Sequence, residues 1–117
     1  MKDKLQRLAE CLPKELGAVF LFKEDFGYDC LRLASYFHLW ADAVDVTNGS
    51  ALILLLDAME KTGTRPTLCP PTISEKYDEY MVKVHYVLEG RHTEHVGPTR
   101  TKAIVNAALA VFGGEAP

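Results

Sequence analysis

The sequence predicts an α+β fold, a small antiparallel sheet of three or four strands with helices packed on one or both faces. Apolar residues recur at helical spacing in three stretches, near 2–12, 50–62 and 99–112. Between the last two, residues 80–88 alternate with a period of two and run into Glu89-Gly90, a hairpin turn candidate. The 117 residues suit a single domain, with 1–48 as a helical extension carrying a short strand and 50–112 as an α-β-β-β-α core.

The first helix spans 2–12, because Leu5, Leu8, Ala9 and Leu12 share one stripe, and Pro13 limits it. The apolar run 18–22 reads as a short strand, ended by Lys23, Glu24 and Asp25, with a turn at Gly27. Over 28–41, Leu31, Ala34, Phe37 or His38, and Ala41 have helical spacing, and Tyr36, Phe37 and Trp40 read as packing groups. Residues 42–49 read as a connection.

The helix over 50–62 carries Leu52, Leu55, Leu56 and Met59, widened by Ile53 and Leu54, and Gly63 stands beyond its last turn. Residues 64–69 read as an edge strand, since Pro66 cannot donate to a ladder. Cys69-Pro70-Pro71-Thr72 and the polar stretch to Glu79 read as loop. In the strand over 80–88, Tyr80, Val82, Val84, Tyr86 and Leu88 share one face. The return strand over 91–96 has two open registers. A two-residue loop pairs Leu88 with Arg91, a three-residue loop pairs it with His92, and the choice flips the faces of His92 and His95. Thr99 is the N-cap of a last helix whose inner stripe is Ala103, Ala107, Ala110 and Val111, flanked by Ile104 and Ala108; Gly113-Gly114 ends it and 115–117 form a tail.

Composition narrows function mainly by exclusion. The net charge is -3, and neither the first 48 residues (6 Lys+Arg, 8 Asp+Glu) nor the remaining 69 (7 and 8) are basic, which argues against a broad phosphate-binding surface. The longest strongly apolar run, Ala51 to Leu56, stops at Asp57, far short of a membrane span, and the N-terminus shows no secretory signal. Cys11, Cys30 and Cys69 fit neither a disulfide framework nor a CxxC knuckle, and the expected compartment is the reducing cytoplasm.

Few residues suggest chemistry. His92-Thr-Glu-His95 is the densest cluster but is not His-Glu-x-x-His, and in a strand its two histidines face opposite ways; His85, His92 and His95 form the only candidate metal set. The neighbouring carboxylates of Glu24-Asp25 and Asp78-Glu79 diverge, Ser35, Ser50 and Ser74 lack a nucleophile-elbow context, and Cys69 has only its proline neighbours to expose it. No catalytic residue and no cofactor are expected. Arg100 and Lys102, with Lys61, Arg65 and Lys83, are the residues that a local nucleic-acid face would use.

Over about 50–112 the chain resembles the double-stranded RNA-binding domain. Residues "ALILLLDAMEKTGTRP" look like that family's first helix with the Gly-x-x-Pro that follows, and "TRTKAIVNAALAVF" resembles its second, which opens Ser-Lys-Lys-x-Ala-Lys. Thr99 stands at the serine, Arg100 at the first lysine, and Ala103, Ala107 and Ala108 at the alanines. Thr101 replaces the second lysine and Ile104 the third, so one of three phosphate-clamping groups is kept.

The helices containing "LQRLAECL", "ALILLLDAMEK" and Thr-Arg-x-Lys-Ala-Ile-x-x-Ala-Ala-Leu also resemble small ABA-sandwich proteins of bacteriophages and prophages, a family without an established activity. Small size, the aromatic-rich residues 36–40 and the lack of a catalytic constellation lead to the expectation of a non-enzymatic, phage- or prophage-type accessory protein acting through a protein partner or self-association. Double-stranded RNA or other nucleic-acid binding and a small metal-dependent hydrolase are the alternative expectations.

Overall fold

The computed structural model describes residues 2–23, 28–41, 43–69 and 79–114, with backbone alone for 22, 23 and 28. Expectations for Glu24-Asp25, Gly27, Pro70-Pro71, Ser74, Asp78 and the tail 115–117 lie outside the described residues. The fold is α+β, with three helices and two antiparallel three-stranded sheets. Helix α1 spans Lys2–Cys11 and a 3-10 turn follows at Lys14–Leu16. Strands β1 (Val19–Lys23), β2 (Tyr28–Leu33) and β3 (Phe37–Trp40) form the first sheet. Helix α2 (Asp45–Glu60) leads to β4 (Thr64–Cys69), β5 (Tyr80–Tyr86) and β6 (Arg91–Gly97), the second sheet, and α3 (Arg100–Gly113) closes the chain.

The helices form a layer shared by the two sheets. Helix α2 touches β3 and β4, α3 lies on β5 and β6, and α1 packs on α3, β1 and β2. One buried cluster therefore runs from Leu5 and Leu8 through Leu31, Leu33 and Leu39 to Leu55, Met59, Val82, Val84 and Val105. Because α3 is wrapped by two helices and a sheet, its buried surface extends beyond the expected stripe to Val105 and Leu109, while Ala110 and Val111 are only half-buried.

Residues 28–41 are two strands, not a helix. Leu31, Leu33 and Leu39 are fully buried, as a strand's alternation requires, whereas Ala34 and Phe37 of the helically spaced set are half-buried and exposed. The turn between the strands contains no glycine, asparagine or proline to announce it: Ala34 and Ser35 both take positive φ (51° and 66°), and Tyr36 N donates to Leu33 O. Tyr36 is consequently 81% exposed at the turn rather than packed. Left-handed backbone costs an L-residue roughly 1–2 kcal/mol, part of which glycine gives back through its greater unfolded freedom. Ser35→Gly is therefore expected to stabilise the protein by about 1 kcal/mol, read as a higher midpoint in urea denaturation.

Helix α2 begins at Asp45, five residues ahead of the expected start. Val46, Thr47, Asn48 and Gly49 are weak helix formers, so the local sequence hides this turn. Tertiary bonds from Asp45 and Asn48 hold it. The β5–β6 loop holds four residues, 87–90, with Tyr86 opposite Arg91, so neither anticipated register occurs. Glu89 N and Gly90 N both donate to Tyr86 O, and Gly90 takes the positive φ (66°) that closes the loop. Leu88 leaves the strand and is 98% exposed at the hairpin tip.

Candidate functional site

Alternation splits the second sheet into two faces. Thr64, Val82, Val84, His95 and Gly97 point inward and are buried beneath α2 and α3. The outer face carries three cross-strand rows, Arg65–His85–His92, Thr67–Lys83–Glu94 and Cys69–Met81–Val96. Every one of these nine side chains is exposed or half-buried, and Val96 is 49% exposed. The face thus runs from a cationic and imidazole end, through a mixed row, to an apolar end. No Phe, Tyr or Trp stands at these nine positions.

The register decides the histidines. His85 and His92 are cross-strand neighbours with ring centroids 5.5 Å apart, and His92 Nε2 lies 3.9 Å from Glu94 Oε1. His95 is on the opposite face, with Nε2 2.8 Å from the Thr93 hydroxyl. The sheet separates it from the other two, so the candidate set His85, His92 and His95 cannot share an ion. Among the described residues no group of three His, Cys, Asp or Glu has a metal-binding arrangement. Cys69 faces Met81 across the ladder, with His85 at the far row, so no imidazole is placed to activate it.

The candidate cations are likewise divided. Arg65 and Lys83 lie on the outer face, whereas Arg100 and Lys102 stand at the start of α3, which covers the inner face. Arg100 sits over the Tyr80 ring, 5.4 Å from its centroid. Lys61 follows the C-terminal end of α2, in a groove it shares with Glu15 and Asp57.

The first turn of α3 would be the natural anion site of this fold, since its N–H groups point outward along the helix dipole. The chain fills it itself. Asp45 Oδ2 accepts from Arg100 N at 2.9 Å, and Asp45 Oδ1 accepts from Thr101 N at 3.0 Å and the Thr101 hydroxyl at 2.8 Å. Thr99, the expected N-cap, accepts from Lys102 N at 3.1 Å, and Ala103 N donates to Thr99 O. Behind Asp45, Asn48 is fully buried. Its Oδ1 accepts from Trp40 N at 2.8 Å, and its Nδ2 donates to Trp40 O at 3.0 Å and to Thr101 Oγ1 at 3.1 Å. The amide pairs with the edge of β3 as a strand residue would, and so ties the first sheet to both helices.

These contacts set the pH response. Burial raises the Asp45 pKa, but the hydrogen bonds from Thr101 and Arg100 and the Arg100 charge outweigh it and leave the carboxyl below its ordinary value of 3.8. Burial holds the His95 imidazole below its ordinary 6.5. Both folded values are depressed, so each group's contribution is complete above its unfolded pKa and is lost as pH falls through the folded one. We expect stability to decline in two stages on acidification, the first below about pH 6.5 from His95 and the second below about pH 4 from Asp45. Urea denaturation across pH checks this, with His95→Gln removing the first stage only.

Asp45, Asn48 and Thr101 escaped the sequence reading, because two lie in the expected connection and the third reads as a missing lysine. An Asp three residues ahead of an Asn was the available signal, but its partners lie more than fifty positions away. No helix among the described residues is long and apolar enough to cross a membrane. Comparison with protein-family models, with curated proteins and with solved structures gave no match.

Proposed function

We propose that this chain is a non-enzymatic protein-interaction module that docks a partner on the outer face of the β4–β5–β6 sheet. The carrying observation is the accessibility of that face: nine exposed or half-buried positions, with Arg65, Lys83, His85 and His92 against a single acid, Glu94, beside an apolar row of Cys69, Met81 and Val96. A protein surface presenting carboxylates next to apolar side chains complements that distribution. Under the phage and prophage resemblance, the partner is another phage protein or a host protein.

Nucleic acid is the weaker reading for two physical reasons. Sheet faces that bind single strands stack successive bases mainly on large aromatic side chains, and this face carries no Phe, Tyr or Trp, only the imidazoles of His85 and His92, which already lie against each other. The helix terminus that would take a backbone phosphate already holds the Asp45 carboxylate.

Titration with double-stranded RNA, duplex DNA and single strands at about 50 mM salt, where electrostatic binding is strong, is expected to show no binding. Binding abolished by the double change Arg100→Ala and Lys102→Ala would overturn the proposal. A photo-crosslinking residue at Lys83 is expected to trap a discrete protein in cells, whereas the same probe at the exposed Asp57 of α2 is not.

A further inference from the structure

We propose that two copies of this chain associate through β6, pairing antiparallel about Thr93 to join their second sheets into one six-stranded sheet. This deepens the interaction reading, and rests on it only in that the joined sheet presents the same outer face twice.

Pro66 fixes which backbone groups of the ladder face which way. Proline has no N–H, so the pair Pro66↔Val84 must be one whose backbone groups are not exchanged across the ladder. The alternation then aims residues 65, 67 and 69 of β4 at 85, 83 and 81 of β5. It follows that 80, 82, 84 and 86 turn toward β6, where they meet 97, 95, 93 and 91. The backbone N–H and C=O groups of His92, Glu94 and Val96 are left pointing away from the sheet. An independent contact agrees: Asn106 Nδ2 donates to Val96 O at 2.9 Å, from outside the ladder.

The two edges of this sheet are therefore unlike. Pro66 blunts the β4 edge, a common protection against edge pairing. The β6 edge has no proline, and Asn106 reaches only its last outward carbonyl, that of Val96. Among the described residues nothing bonds the outward N–H and C=O of His92 and Glu94.

Side-chain charge selects the register. With Glu94 opposite its own copy, two carboxylates would face each other, a destabilising pair. Centring on His95 would call on Val96 O, which Asn106 already occupies. Centring on Thr93 sets His92 of each copy opposite Glu94 of the other, and the two residues exchange both backbone bonds, giving four across the dyad. An imidazole N–H donates to a carboxylate in either protonation state. Within one chain the His92 to Glu94 distance of 3.9 Å is beyond hydrogen-bond reach, so both groups are available. Across the joined sheet each row then reads Thr67, Lys83, Glu94, and next the partner copy's His92, His85 and Arg65. Each lone acid comes to lie between a lysine and a histidine.

Light scattering of the purified chain over a concentration series up to its solubility limit tests this. The mass is expected to rise from 13.0 kDa toward twice that value. Glu94→Pro removes an N–H that the chain's own ladder does not use, and is expected to abolish the rise while circular dichroism shows a folded protein. Should Glu94→Pro unfold the chain, the charge pair decides. Glu94→Lys alone is expected to weaken dimerisation at least tenfold, and Glu94→Lys with His92→Glu to restore it. A mass of one chain at every concentration overturns the proposal, as does a dimer indifferent to these changes. Neither result bears on whether Lys83 crosslinks to a protein partner, so the two proposals fail separately.

Discussion

Asn48→Ala is expected to lower the unfolding free energy by about 3 kcal/mol, from three hydrogen bonds worth roughly 1 kcal/mol each. The side chain is fully buried, and its amide serves Trp40 N–H, Trp40 C=O and the Thr101 hydroxyl at once. Alanine removes the amide without admitting water, so the desolvation already incurred is no longer compensated. The loss also has reach. Thr101 is 2% exposed and donates onward to Asp45, so the change weakens the cap of α3 as well as the edge of β3. Urea denaturation reads the shift. A double-mutant cycle with Asp45→Ala is expected to show coupling, because the two side chains meet through one hydroxyl. Additive effects would mean that Asn48 and Asp45 stabilise independent parts of the fold.

Gly97→Ala is expected to cost about 3 kcal/mol, at the upper end of overpacking effects. A Cβ at position 97 would lie 2.6 Å from Ala103 N and 2.9 Å from both the carbonyl carbon and the Cβ of Lys102. Two of those three atoms are backbone in the first turn of α3, the turn whose N–H groups Asp45 and Thr99 bind. Relief requires the helix to lift off β6, which would disturb Asn106 on Val96 O and uncover Ala103, Ile104 and Ala107. Gly97 is read as the end of a hairpin in the linear sequence, and the helix above it gives it its weight. Gly90→Ala serves as the comparison. Nothing lies within 4 Å of a Cβ there, so its cost is confined to the positive φ, about 1 kcal/mol.

Several elements were legible in advance because their determinants are local. Leu5 and Leu8 bury α1 at helical spacing, Pro66 keeps β4 at an edge, Thr99 caps α3, and Val82 and Val84 mark the inward face of β5. The elements that were not legible lack a local determinant. The β2–β3 turn runs through Ala34 and Ser35, held by Ala34 N on Leu16 O at 2.7 Å, a bond from another part of the chain. The first turn of α2 holds against poor propensity through Asp45 and Asn48, whose partners are at 40, 100 and 101.

The candidate site divides in the same way. Its residue types, the four cations and imidazoles and the single acid of the outer face, stand in the sequence, but their grouping depends on a four-residue loop that sends His92 outward and His95 inward. A loop one residue shorter would reverse those faces. The sequence by itself determined the α+β class and the inward face of β5, because helical and strand periods are properties of neighbouring residues. Only the tertiary structure decided that the terminus of α3 holds a carboxylate of its own chain, and that the histidines part company. Those outcomes rest on backbone groups finding partners some tens of residues away, and that pairing leaves no periodic trace in the chain.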